Sequence, residues 1–500
     1  MDNYLLLKDD SVESRYLIAI NSNYSLTKPV QSLILSKRYV ITWVFYMTFS
    51  RYLIGAGSAV IASIICCGYS NAQQSEELSK QEFEKPDVQE LQQQIDDLKS
   101  QVDELSDIAE NNEPEVLNSQ NDFELTWEPG PVFTSKDGKF SFEINGRVSY
   151  DYANITYKDG NGNVRPDDKV NGTDLRHLEF GFQGSMFEDF SYRVVTKFTD
   201  NQAQLKMAYL DYETGNTKFT FGQTRTFTTL DKMTPPTMMA FTERFAFINA
   251  VGVYRRIGIA AAQHGEDWSV SGGYFFENAS DADPDDNNMI SGRANYSPRL
   301  ENGVGLHFGA SAFYRNRNSN PYDLEYSTRP LSKQGDIKPL FSGDFNVDNE
   351  QFVAGEFVAT YKSFGLQAEY ATIKTPLSDM ELQTMTTPSY SGGYVEVGFF
   401  PTGGEQMIDG QDGRLDSVEV RSPLGQGGIG EIRLAGRYDV ADFTHEIFGR
   451  KQTSYILAAD WYLNSAIKIT ANYAHSIIKD AMNVRTDVVD TINTRFLFNF

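Results

Sequence analysis

Five hundred residues carry 27 Tyr and 34 Phe, yet the mean hydropathy is only −0.42, so abundant aromatic surface coexists with a hydrophilic average. No stretch beyond the N-terminal region approaches the ~18–20 consecutive apolar residues of a membrane-crossing helix, which excludes a helical membrane bundle. A formal charge of −24 without a basic patch interleaved with aromatics excludes a nucleic-acid binder.

The acid is unevenly spread. Between Gln73 and Glu128 lie 17 acidic and 3 basic residues, so more than half of the excess precedes the strand-patterned part of the chain. From Met47 the sequence presents Arg51, an apolar core from Leu53 to Cys67, and Ser70-Asn71-Ala72 before Gln73. That is the layout of a secretory signal peptide over 47–72, which makes Met47 the expected start and 1–46 a mis-annotated or leader extension. Cys66 and Cys67 are the only cysteines, and they leave with the signal, so the mature chain is expected to lack thiols.

Val88, Leu91, Ile95, Leu98, Val102 and Leu105 recur at spacings of three and four. This heptad seam predicts a short periplasmic coiled coil within 73–110 and hence an oligomer. The branched residues at one seam position favour two strands, although fewer than three heptads do not fix the number. Residues 111–138 read as a linker.

From Lys139 the period becomes two. Phe140, Phe142, Ile144, Val148, Tyr150 and Tyr152 share one face, and Ser141, Glu143, Asn145, Arg147, Ser149 and Asp151 share the other. One face suits lipid and one suits water, and the pattern recurs to the C-terminus, where Phe496, Phe498 and Phe500 fall together. The expected fold class is all-β: a transmembrane antiparallel β-barrel over 139–500, preceded by the coiled-coil helix. Short turns such as Asn464-Ser465 alternate with polar loops such as 281–288.

Strand parity then becomes a statement about the lumen. It aims Arg147, Arg193, Lys197, Arg256, Arg293, Arg433, Arg437, Lys468 and Arg495 inward, together with Glu143, Asp151, Glu179, Glu369, Glu396, Glu431, Asp439 and Asp460. Fixed charges where a pore is narrow act on ions whose solvation is weakened, so the bases could draw anions, or could serve as paired wall ions. The run from Thr224 to Arg256 lacks strict alternation and contains Pro235-Pro236 and Met238-Met239, which suggests a loop packed inside the barrel. Asp409, Asp412, Asp416 and Glu419 form a Gly-rich segment that loosely echoes a calcium loop without its spacing, and a solvated extracellular loop is the plainer reading. The five histidines are scattered, with neither HExxH nor GxSxG, so no enzyme, cofactor or metal site is expected.

Several stretches resemble the phosphate-selective porin O and P family: LRHLEFGFQGSMFEDFSYRVVTKF at 175–198, MAYLDYETGNTKFTFGQTRTF at 207–227, AFTERFAF at 240–247, and SGGYVEVGFFPTGGEQ, EIRLAGRYDV and TSYILAADWYLNSAIKITANYAHS in the C-terminal third. The resemblance implies an outer-membrane homotrimer of 16-stranded barrels, each with a loop folded into its lumen. It also implies diffusion of small ions, anions such as phosphate or polyphosphate, with Arg225, Lys232 and Arg244 contacting the passing anion. Glu179, an inward acid where relatives are Arg-rich, departs from that pattern. The alternatives are a non-specific or cation-preferring porin, or an outer-membrane anchor tethered through the coiled coil.

Overall fold

The computed structural model describes residues 123–500 apart from 128–129, 200, 281–286, 318–320, 379–380 and 382–383. The expected leader, signal peptide and coiled coil lie outside the described residues.

Sixteen antiparallel strands form the wall. They are β1 (Ser141–Lys158), β2 (Val164–Met186), β3 (Phe190–Thr199), β4 (Gln202–Thr214), β5 (Thr217–Arg225), β6 (Arg255–His264), β7 (Trp268–Phe275) and β8 (Asn287–Tyr296). They continue as β9 (Gly305–Arg317), β10 (Asn349–Tyr361), β11 (Phe364–Lys374), β12 (Ser389–Phe399), β13 (Glu431–Asp442), β14 (Arg450–Tyr462), β15 (Ile467–Asp480) and β16 (Thr486–Asn499). Each pairs with its neighbour, and β16 returns to β1 in register from Asn499↔Arg147 to Val488↔Lys158. Closure leaves the wall without an unpaired edge, the condition for strands to cross hydrocarbon.

The alternation read from sequence holds in space. Tyr150, Phe308, Leu434, Tyr455, Leu457 and Tyr473 are exposed on the outer face, whereas Ser149, Asp151, Arg433, Arg437, Asp439 and Asp460 are buried within the lumen. Outward rings touch across strands, as Phe308 and Phe357 do at 5.3 Å and Tyr438 and Tyr455 at 5.4 Å. At the seam, the backbone of Phe500 exchanges hydrogen bonds with Gly146 at 2.7 and 3.0 Å.

The barrel end that carries Phe500 has connections of two to eight residues at 187–189, 215–216, 265–267, 297–304, 362–363 and 463–466, with one exception, residues 400–430. Instead of the expected extracellular loop, 408–419 therefore enters from the short-turn end. Its acids do not form a cation cage: Arg414 lies 3.3 Å from Asp409 and 2.9 Å from Asp412, and the Asp409 side chain accepts from the N–H groups of Gln411 and Asp412. The expected linker also differs. Phe123–Trp127 and Pro131–Ser135 form a β-hairpin that adds to the start of β1.

Gly222 shows how tightly the wall is drawn. Its φ is +121°, and a Cβ there would sit 2.3 Å from the Ala208 carbonyl oxygen on β4. Gly222→Ala is expected to destabilise the barrel by ~1–3 kcal/mol through strain and that clash; reversible urea unfolding in lipid vesicles checks this, and an unchanged midpoint would contradict it.

Candidate functional site

Residues 226–254 leave the wall between β5 and β6 and fold into the lumen, with two short helices, α1 (Leu230–Met233) and α2 (Ala246–Val251). Chain placed there carries N–H and C=O groups that no sheet satisfies. Wall carboxylates take the donors: Leu230 N–H donates to Glu356 at 2.7 Å, Asp231 N–H to Glu369 at 2.7 Å, and Ala246 N–H to Asp439 at 3.0 Å. Wall cations take the acceptors: Arg433 donates to the Met238 carbonyl at 3.3 Å, Lys468 to that of Met239 at 2.5 Å, and Arg495 to that of Thr242 at 2.8 Å. Beneath α2, Phe245 meets Tyr394 at 5.1 Å and Phe247 stacks on Phe443 at 5.0 Å.

The segment from the opposite end is fastened to the same wall ions. Arg433, 2.8 Å from Asp460, donates to the Gln406 side chain at 2.9 Å as well as to Met238. Arg293 pairs with Glu356 and donates to the carbonyls of Asp412, at 3.4 Å, and Gly413, while Glu356 also meets His307 at 2.9 Å. Leu415 packs with Leu230 and Val358. Arg433 directly, and Glu356 through Arg293, are thus nodes shared by two inward segments. Removing one partner of such a buried pair costs ~3–5 kcal/mol locally. In the Glu356→Ala, Arg433→Ala double variant, both segments should loosen together. Single-channel recording should then show conductance raised about twofold or more with added noise, because pore-lining chain no longer sets the narrowest section; unchanged conductance in a folded variant would refute the nodes.

These contacts divide the basic residues expected in the lumen. Arg293, Arg433, Arg437, Lys468 and Arg495 are spent on the wall, Arg437 at 2.7 Å from Glu396 and between the Phe241 and Tyr394 rings, and Arg495 at 2.6 Å from Asp151. Arg256 donates to the Phe276 carbonyl at 2.8 Å. Arg244 lies 3.4 Å from Asp231 and donates to the Thr234 carbonyl at 3.0 Å. Lys197 stands across the β2–β3 pair from Glu179.

The remainder are committed differently. Among the described residues, Arg225 donates only to the Met233 carbonyl, at 2.5 Å, and Lys232 lies over the Tyr254 ring at 5.9 Å. Among the described residues, Arg193 makes no side-chain ion pair, nor does Arg255, and the Nε of each is buried without a hydrogen-bond partner. Arg147 keeps a 3.9 Å approach to Glu179 and an unpartnered Nε.

Two bulges add cations that parity counting misses. Between Ser149 and Tyr150 on β1 the register skips Arg176, and between Val195 and Thr196 on β3 it skips Lys206. A bulge lets two consecutive side chains face one way, so Arg176 reaches Glu243 at 3.1 Å and Lys206 reaches Glu179. Arg255 falls within the run from Thr224 to Arg256 read as the inward loop, but strand parity aims only its neighbour Arg256 inward.

Open space follows this side. A cavity of about 120 Å³ is lined by Arg225, Thr228, Lys232, Arg244, Tyr254 and Arg255. Arg225 also borders a second, of about 260 Å³, with Arg193, Tyr209, Arg414 and Pro235. Arg193 and Tyr209 in turn border a third, of about 350 Å³, which reaches Ser141 and Ser191 near the short-turn end.

The sequence model of the phosphate-selective porin O and P family matches residues 142–500. The chain belongs to that family. It is 23% identical over 388 residues to Porin O of Pseudomonas aeruginosa, covering 69% of this chain and 84% of that one. It is 29% identical over 368 residues to an uncharacterized protein of Caulobacter vibrioides, covering 70% and 71%. Among solved structures, OmpT, an outer membrane protein of Vibrio cholerae, aligns with TM-score 0.46 at 9% identity over 72% of this chain and 98% of its own. An anion-selective porin from Comamonas acidovorans aligns with TM-score 0.42 at 12% identity over 72% and 100%. Family and barrel together make this an outer-membrane porin, a channel rather than an enzyme.

In this porin the inward loop carries a charge poised near neutrality: burial pushes the Lys232 ammonium down to about 7, and the adjacent Arg244 guanidinium adds to the fall. Lys232 is then cationic below that pH and neutral above it. The anion-to-cation permeability ratio should therefore fall between pH 6 and pH 8, and Lys232→Met should flatten the change. A pH-independent ratio in the unaltered protein would remove Lys232 from the pathway.

Proposed function

We propose that this porin conducts small anions, with phosphate-like oxyanions as the favoured solutes, along the β1–β6 side of its lumen. One observation carries the reading: Arg225, Arg193, Arg255 and Lys232, which make no ion pair among the described residues, line cavities joined through shared residues. Guanidinium and ammonium groups with spare donors form charge-assisted hydrogen bonds to an oxyanion, and the hydroxyl of Thr228 stands in the same cavity. Across the lumen, wall bases meet wall acids; on this side Glu143, Asp211 and Asp412 also line the cavities, against seven cations, so the excess of positive charge is one-sided.

Glu179 fits this reading. It holds Lys206 and approaches Arg147, so its charge is spent on positioning cations. Export through 47–72 and assembly as a homotrimer with a coiled coil at 73–110 complete the proposal.

The test is reversal potential in a planar bilayer across a potassium chloride gradient, followed by titration with inorganic phosphate. Anion-selective reversal is expected, with phosphate reducing chloride current, and a Lys232→Met, Arg255→Met double variant should lose about tenfold or more in phosphate sensitivity, since charged hydrogen bonds contribute ~1.5–3 kcal/mol each. Cation-selective or unselective current without phosphate inhibition would instead establish a general porin.

A further inference from the structure

We propose that the hairpin preceding β1 is a membrane anchor whose apolar face lies in the periplasmic leaflet of the outer membrane, against phospholipid glycerol and upper acyl chains. Phe123, Leu125 and Trp127 alternate along the first strand and Phe133 stands on the second, with Leu125 paired to Phe133. All four are exposed, at 56%, 58%, 71% and 37%. Strand alternation places them on one face, while Glu124, Thr126 and Thr134 fall on the other.

What covers that face follows from the wall it extends. Phe133 pairs with Phe142 of β1, their rings 6.4 Å apart, and the outward rings continue from Phe142 to Phe182 at 6.0 Å and from Phe182 to Tyr192 at 6.2 Å. The hairpin face is therefore continuous with the barrel's lipid-facing surface. It also lies at the short-turn end of the barrel, the periplasmic end of outer-membrane barrels, where amphipathic rings collect at the boundary between headgroup and chain. Val132 pairs with Glu143, which brings Pro131 and its partner Trp127 level with Ile144 of β1.

A second copy of the chain is the rival occupant. Four partly exposed side chains offer roughly 500 Å² at full burial, from ~150–250 Å² per large ring. That is short of the ~800 Å² per partner of a stable interface. A leaflet needs no matching surface and accepts any outward ring.

Tryptophan fluorescence tests the proposal in the full chain reconstituted into phospholipid vesicles. Trp43, Trp268 and Trp461 are replaced (W43F, W268F, W461F) so that Trp127 alone emits. Phospholipid brominated in the upper acyl chain is expected to quench Trp127 by about half or more, as it does interfacial rings, with little quenching by aqueous acrylamide. Acrylamide quenching without lipid quenching would place the face in water, and absence of both would mean that protein covers it; either result overturns the proposal. If the triple variant does not reach the folded, heat-modifiable form, the difference in lipid quenching between the unaltered chain and W127F gives the same reading.

Discussion

Chain that enters a barrel lumen must still satisfy its backbone, and the structure depends on how that is done. A closed sheet spends all its own N–H and C=O groups on itself, so only side chains remain to receive 226–254 and 400–430. The wall answers with full charges. Carboxylates on β10, β11 and β13 accept from the loop's N–H groups, and cations on β13, β15 and β16 donate to its carbonyls. Such bonds are roughly twice as strong as neutral ones. A buried ion in this setting is stabilised by its counter-ion and by the backbone it holds, which offsets the desolvation that would otherwise dominate.

This requirement divides the lumen. Where the wall holds inward chain, bases and acids are consumed in pairs, and the arginines there hold segments in place without attracting solute. Where the wall faces open space, on β1 to β6, the cations exceed their partners. The asymmetry of charge therefore follows from the asymmetry of packing. The two bulges strengthen it, since each inserts a cation without displacing an inward neighbour: Arg176 beside His177, and Lys206 beside Met207.

The wall was legible in the sequence because period-two patterning is a local property that a barrel obeys on every strand. Parity aimed Arg147, Arg193, Arg293, Arg433 and Arg437 inward, and the broken alternation from Thr224 to Arg256 marked the inward loop. What parity does not encode is partnership. Arg293 and Arg193 look alike in sequence, yet one meets Glu356, 63 residues away, and the other meets no carboxylate among the described residues. Bulges escaped for a related reason, because an inserted residue is defined by the neighbouring strand's register. The inward course of 400–430 escaped because its Gly-rich, acidic composition equally suits a solvated loop, and only Arg293 and Arg433 distinguish the two.

Glu179 shows why the sign of one lumen residue does not determine the sign of the lumen. Taken alone, an inward carboxylate on β2 opposes anion passage. In place, it meets Lys206, approaches Arg147 at 3.9 Å and stands across from Lys197. At such separations an ion pair is worth several times its value in bulk water, so the cluster acts as a unit whose net charge is positive. Without Glu179, the cations would repel one another and withdraw along different directions. With it, their positions are fixed, and a fixed charge costs a passing ion no reorganisation. An acid at the centre of a basic wall therefore keeps the cations facing one path.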